Sequence, residues 1–194
     1  MSFSVFLSFL PYALVTAFTP GPNNVVALYS VGRSGWRRGA RVILGMIAGF
    51  LCVMALCAAF CYELAVYVPG LAKYLKYVGA AYILWLAVHV LRSAPAQEEG
   101  RPMTFWSGFA LQFVNVKIIL FAITIYTGYL LPAGGGLGAL LLAAAVLTAI
   151  GASGFITWAA VGGVLQKFLA RHFKPFNYAM ASILALCAVK LAVG

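Results

Sequence analysis

From Met1 to Gly32 the chain carries no charged residue, yet the middle of that apolar run reads Thr19-Pro20-Gly21-Pro22-Asn23-Asn24. An uncharged run of this length predicts a membrane-spanning helix, which needs about 20 apolar residues. Proline lacks the backbone N–H, and its ring collides with the preceding turn of a helix. Pro20-Gly21-Pro22 is therefore hard to keep helical. In lipid, broken backbone is tolerated only where protein buries it or where it lines a cavity. Broken helices at mid-membrane are a common way for transporters to build a binding site. The plainer alternative is a simple proline kink. Against it stand the two asparagines that follow at once and a second interruption later in the chain.

The remaining sequence is of the same kind. Of 194 residues, 64% are hydrophobic and only 8% charged, with a mean hydropathy of +1.02. A soluble domain carries about 25% charge, so the chain reads as an all-α polytopic membrane protein, a single membrane domain over 1–194. The net charge of +10 invites a nucleic-acid partner. That partner is rejected, because the basic residues sit in short segments between apolar spans. Met1-Ser2-Phe3-Ser4-Val5 lacks the positive region of a cleavable signal peptide. Cys52, Cys57, Cys61 and Cys187 all fall in predicted spans without a CxxC pair, and read as small packing residues. His89 and His172 lie near predicted span ends, and none of Glu63, Glu98 and Glu99 is deep in a span. No soluble catalytic constellation is present, so no enzyme, cofactor or metal site is expected.

The apolar runs predict six transmembrane helices, at about 3–31, 42–62, 71–91, 105–131, 137–165 and 176–193. Pro11 adds a kink or marks an early turn in the first. A basic loop, Arg33 to Arg41, follows it; Glu63, Pro69 and Gly70 mark the next turn. Lys73 and Lys76, near the start of the third span, can snorkel to the interface. Residues 92–103 form the one plainly hydrophilic linker, and Trp106 just after it suits an interfacial belt. Pro132-Ala133-Gly134-Gly135-Gly136 is the turn before the fifth span, and the loop from Gln166 to Pro175 is basic again. Gly45 and Gly49 make a small-xxx-small pattern that permits close helix contact. An internal contact is preferred to a homodimer face, and Gly151-Ala152-Ser153-Gly154 serves either equally well. Thr148, Ser153 and Thr157 are spaced to share a helical face.

Alternate loops hold nine basic residues: Arg33, Arg37, Arg38, Arg41, Arg92, Arg101, Lys167, Arg171 and Lys174. The opposite side holds three, Lys73, Lys76 and Lys190. The positive-inside bias then puts both termini outside and the 92–103 linker in the cytoplasm. Three spans, a linker and three spans suggest two inverted three-helix repeats, 1–91 and 104–194, since an odd number turns the second half over. The break at Pro20–Asn24 has a counterpart at Gln112-Phe113-Val114-Asn115-Val116-Lys117; otherwise the halves show no convincing identity.

Lys117 is the most informative single residue. It lies 12 residues beyond Phe105, or roughly 18 Å at helical rise, too deep for easy snorkelling. An ionisable residue at this depth is costly and is by default a functional hypothesis. No acid is in reach of it in the sequence. Carbonyls freed by the broken first helix could solvate it; it could sit uncharged; or a substrate carboxylate could be its partner. The last two combine into proton-coupled export, with substrate and proton competing at one site. A purely structural lysine held by carbonyls is the bland alternative. Asn23, Asn24 and Asn115 each offer two N–H donors and a carbonyl, enough to grip both ends of a zwitterion, or to cap the half-helix after Pro22.

With these residues in view, the chain resembles the lysine exporter (LysE/RhtB) family of bacterial amino-acid exporters over its whole length. Thr19-Pro20-Gly21-Pro22-Asn23 is similar to the family's N-terminal signature, followed as expected by a basic loop with Gly35 and Gly39. The run from Phe105 to Leu120 resembles the fourth span of the cysteine-exporting branch. Many members carry Asn-Pro-Lys where this chain has Asn115-Val116-Lys117. Valine in place of proline leaves the sharpness of the fourth-helix break undecided. The resemblance implies a small neutral amino acid as cargo (cysteine, O-acetylserine or related), outward transport by proton antiport, and the bacterial inner membrane. The predicted substrate-binding set is Thr19, Pro20, Gly21, Pro22, Asn23, Asn24, Gln112, Asn115 and Lys117, with Lys117 also the coupling residue. Three other classes compete. A thiol-electron carrier would want a reactive cysteine in each half close to the site. A metal-ion exporter would want anionic or oxygen-rich ligands, and a structural or assembly protein would not obviously need Lys117.

Overall fold

The computed structural model of the chain describes residues 2–19, 21–67, 71–92, 104–161, 174–175, 178–179, 181–189 and 192–193. Pro20, linker residues 93–103 and the basic segment 162–173 lie outside the described residues, as do the side chains of Arg33, Lys73, Lys76 and His89. The described residues are helical apart from short turns, with no strand among them.

Helix α1 (Phe3–Phe18) starts at Ser2, whose hydroxyl accepts from the Val5 N–H. Pro11 lies inside it without ending it. Phe9, Tyr12, Ala13 and Thr16 form its buried stripe, the i, i+3, i+4, i+7 spacing of an amphipathic helix. Helix α2 (Pro22–Tyr67) opens on proline, which suits a first helical position because the missing N–H would have no partner there anyway. The two meet at a 45° bend.

The predicted loop Arg33–Arg41 is instead a helical corner. Its arginines, tryptophan and alanine are competent helix formers, and the helix is interrupted only at Gly35, at φ 72° and ψ 167°. That conformation is essentially reserved for glycine. The two arms of α2, Pro22–Gly32 and Ser34–Tyr67, fold around this point. A Cβ on Gly39 would meet the backbone of Val31, so the arms touch main chain to main chain. Arg37, Arg38 and Arg41 remain exposed.

Helix α3 (Leu71–Arg92) lies against α5 (Val116–Ile125). Helix α4 (Phe105–Val114) is capped by Thr104, whose hydroxyl and that of Ser107 satisfy each other's backbone N–H. It stops at Asn115, and α5 leaves at 59°, running on into a π-helical turn, Tyr126–Leu130. The fourth predicted span is thus broken without a proline. After the glycine-rich turn, α6 (Leu137–Ala160) is capped at Val161; the rest of the predicted fifth span lies outside the described residues.

Small residues set the packing. Cβ atoms on Gly45 and Gly49 would strike the Phe105 and Phe109 carbonyls, and one on Gly108 the Val42 carbonyl. The small-xxx-small pattern thus serves an internal α2–α4 contact in which backbones approach closely. Gly154 of α6 lies on the Ala17 carbonyl and Gly151 under the Phe50 ring. Outward, Leu44, Leu56, Phe60, Trp85, Leu142 and Ile156 are exposed, as expected of a surface solvated by lipid. Two helices, Ser34–Tyr67 and Leu137–Ala160, are long and apolar enough to cross a membrane, and four spans result if each bent pair counts as one.

Candidate functional site

The end of α1 shows what the prolines do. Inside a helix the Thr16 and Phe18 carbonyls would accept from residues 20 and 22, and both are proline, with no N–H to give. Two side chains from the rest of the fold replace those donors. Lys117 Nζ donates to the Thr16 carbonyl at 3.2 Å, and Trp158 Nε1 to the Phe18 carbonyl at 3.2 Å. Asn24 Nδ2 donates to Ala17 O at 2.8 Å and to Thr19 O at 2.9 Å. The Val15 carbonyl takes both the N–H and the hydroxyl of Thr19. Every carbonyl from Val15 to Thr19 has a donor, as burial in lipid demands.

The second break is tied to the first by an amide cluster. Asn23 Oδ1 accepts from Gln112 Nε2 at 3.2 Å and from Asn115 Nδ2 at 3.1 Å, while Asn23 Nδ2 donates to Gln112 Oε1 at 2.7 Å. Gln112 Nε2 also reaches the Gly108 carbonyl at 3.0 Å. All three amides are buried. The asparagines therefore do not act as caps: Asn115 makes no side-chain cap bond to α5, and Asn23 faces across to α4. Tyr82 of α3 donates to the Lys117 carbonyl at 3.1 Å and pins the start of α5.

Between the breaks lies a cavity. Thr16, Gly21, Asn23, Asn24, Asn115 and Lys117 form its polar side, with Pro22 beside them. Phe50, Ile118, Phe121, Leu147, Ile150 and Phe155 form its apolar side. The Lys117 side chain runs over Gly21, where a Cβ would sit 3.0 Å from Nζ. The first turns of α2 and α5 both open on this space, and a helix N-terminus carries partial positive charge. Among the described residues no acid lines the cavity: Glu63 is exposed, and Glu98 and Glu99 lie outside those residues. Among the described residues the Lys117 ammonium thus has a carbonyl, and no acid, as its hydrogen-bond partner in this pocket. Two buried oxygens beside it have no hydrogen-bond partner among the described residues, Thr16 Oγ1 and Asn24 Oδ1.

Of the predicted site residues, Gly21, Pro22, Asn23, Asn24, Asn115 and Lys117 line the cavity. Thr19 and Gln112 stand behind it, holding the α1 end and the Asn23 amide. Pro20 lies outside the described residues. Thr16, Trp158 and the phenylalanine wall were not predicted. Thr16 had a signal, four residues before a proline; Trp158 had none. Thr148, Ser153 and Thr157 do not form a shared polar face. Thr148 is buried and Ser153 exposed, and each hydroxyl bonds a carbonyl of its own helix. The four cysteines form no disulfide with one another and none lines the cavity. Among the described residues no cluster of three metal-ligating side chains occurs.

The family model described as LysE type translocator matches residues 14–194. The cysteine/O-acetylserine efflux proteins of Escherichia coli strain K12 and of Shigella flexneri are each 42% identical to the chain over 187 residues, covering 95% of both sequences. No solved structure matches the chain.

Proposed function

The chain belongs to the LysE type translocator family, and on that premise we propose that it is a secondary exporter of a small neutral amino acid, moving cysteine, O-acetylserine or a related compound out of the bacterial cytoplasm by proton antiport. The efflux proteins it resembles supply the cargo class. The observation that carries the mechanism is Lys117, half-buried between two broken helices, whose Nζ donates to the Thr16 carbonyl.

In this mechanism the substrate carboxylate sits at the N-terminal ends of α2 and α5, where backbone N–H groups and helix dipoles favour an anion. Its ammonium donates to Asn24 Oδ1 and Thr16 Oγ1, the two unpartnered buried oxygens. The side chain meets the wall of Phe50, Phe121 and Phe155, which suits a small residue. The direction of coupling then decides the state of Lys117. A carboxylate paired with charged lysine would carry the proton along with the substrate. Opposite movement requires the neutral amine to accept from the substrate ammonium. Protonation from outside then turns Lys117 into a second cation, which expels the ammonium. The charged side chain returns with Nζ on the Thr16 carbonyl, and the hydrogen bond between them supports this step.

Alternating access about this site fits two inverted repeats, 1–91 and 104–194, joined by the 92–103 linker in the cytoplasm. One broken helix in each half, bent by 45° and 59°, supports that arrangement. Six spans with both ends of the chain outside complete it.

Counterflow in proteoliposomes tests the proposal. Vesicles loaded with unlabelled cysteine or O-acetylserine should take up labelled substrate with wild-type protein. Uptake should fall at least about a hundredfold in Lys117→Ala. Lys117→Arg should also fail, because guanidinium does not deprotonate. Wild-type activity in either variant would remove a protonation cycle at Lys117, and no uptake by folded wild type would remove the cargo class.

A further inference from the structure

Three helices meet at the ring of Phe50, in the apolar wall of the cavity. This ring, on α2, lies 6.5 Å from that of Phe121 on α5 and 6.0 Å from that of Phe155 on α6, centroid to centroid, the second pair edge to face. All three rings are buried and all three line the cavity. The tip of the Phe50 ring points at Gly151: a Cβ there would lie 3.4 Å from Cζ and 3.6 Å from Cε1 and Cε2. Gly151 shares the cavity-facing stripe of α6 with Leu147, Ile150 and Phe155, and it alone of the four has no side chain. The stripe therefore has a notch, and the ring tip fills it. The neighbours leave the ring little room to turn aside. Phe121 is backed in turn by the ring of the fully buried Tyr12 at 5.4 Å. The main chain of α2 is held at the preceding residue, where a Cβ on Gly49 would strike the Phe109 carbonyl of α4. Protein interiors packed in this way yield little volume.

We propose that Phe50 is the specificity-determining residue for cargo size: its ring fills the space that an aromatic side chain would need, and so keeps aromatic amino acids out of the site. The proposal rests on the exporter reading above. The apolar wall offers the cargo no donor, acceptor or charge, so volume is the property it can read. Attraction alone would do this poorly, because each methylene in an apolar pocket changes discrimination by only about 10–200-fold. A ring wedged against Phe121, Phe155 and Gly151 refuses the extra volume outright. Cysteine and O-acetylserine carry no ring and meet the wall without displacing it. Replacing Phe50 by alanine removes a phenyl group from the edge of the cavity. An apolar space of that shape stays dry and accepts an aromatic ring, and the cargo phenylalanine would bring one back.

The test compares two cargoes in one preparation, so that the readout is a ratio and not a rate. Proteoliposomes loaded with unlabelled cysteine or O-acetylserine are given either the same compound labelled or labelled phenylalanine. Wild type should exchange the first and not the second. In Phe50→Ala the ratio of phenylalanine uptake to uptake of the small cargo should rise at least about tenfold. A variant that is merely damaged loses uptake of both and gains no new cargo. An unchanged ratio in a Phe50→Ala protein that still exchanges the small cargo would overturn the filter. So would wild-type protein that exchanges phenylalanine as readily as the small cargo, and that result would leave the exporter reading standing. If wild type exchanges neither, the exporter reading fails and the filter falls with it. Should Phe50→Ala lose both uptakes, Phe50→Val, which keeps part of the apolar packing, carries the same test. Loss of both uptakes in both folded variants would place Phe50 in the fold and overturn the filter.

Discussion

Asn23 is the residue on which the two halves of the site depend. Its single carbonyl takes an N–H from Gln112 and another from Asn115, and its own amide returns one to Gln112. In water each of these amides would be indifferent to its partner; buried, each unsatisfied one costs about 1–3 kcal/mol. Asn23→Ala should therefore destabilise the protein by about 2–4 kcal/mol, seen as a lowered melting temperature in detergent. Asn23→Ser, which keeps an oxygen there, should recover part of it. A melting temperature unchanged in Asn23→Ala would show that the cluster orients the amides without stabilising the fold. The asparagines were visible in the sequence as polar groups at a break, but the choice between capping and cross-linking was not. That choice needs the distance between residues 89 and 92 positions apart, which no local pattern encodes.

Among elements, the corner in α2 is the clearest departure from expectation. Charge marked 33–41 as the place where the chain turns, and it does turn there, but by one glycine between helical arms rather than by a loop. The positive φ of Gly35 predicts a cost of about 1–3 kcal/mol for Gly35→Ala. Gly32→Ala, where a Cβ would meet nothing within 4 Å, should be neutral or slightly stabilising. Thermal melting of the two variants separates conformational strain from a general intolerance of substitution at the corner. The broken fourth helix teaches a complementary lesson. No proline marks it, yet it bends more sharply than the first span, 59° against 45°. The tie from Asn115 to Asn23 stands at the break, and Tyr82 pins the start of α5 just after it.

For the whole molecule, the distribution of arginine and lysine predicts that both ends lie outside the cytoplasm. A reporter fused after Gly194 should be active only when it functions outside, and one inserted at 97–98 only when it functions inside. The opposite pattern would reverse the topology. The sequence by itself determined that the chain is helical and apolar, where its first helix must break, that a lysine lies deep in an apolar run with no acid in that run, and the family to which it belongs. These follow from local chemistry: proline has no N–H to give, and charge is costly in lipid. Only the tertiary structure decided which groups answer the freed carbonyls, because Lys117 and Trp158 reach α1 from more than a hundred residues away. It likewise decided that Gln112 braces the cavity instead of facing it. A missing donor can be read from one residue, whereas the group that replaces it is fixed by the packing of helices distant in sequence.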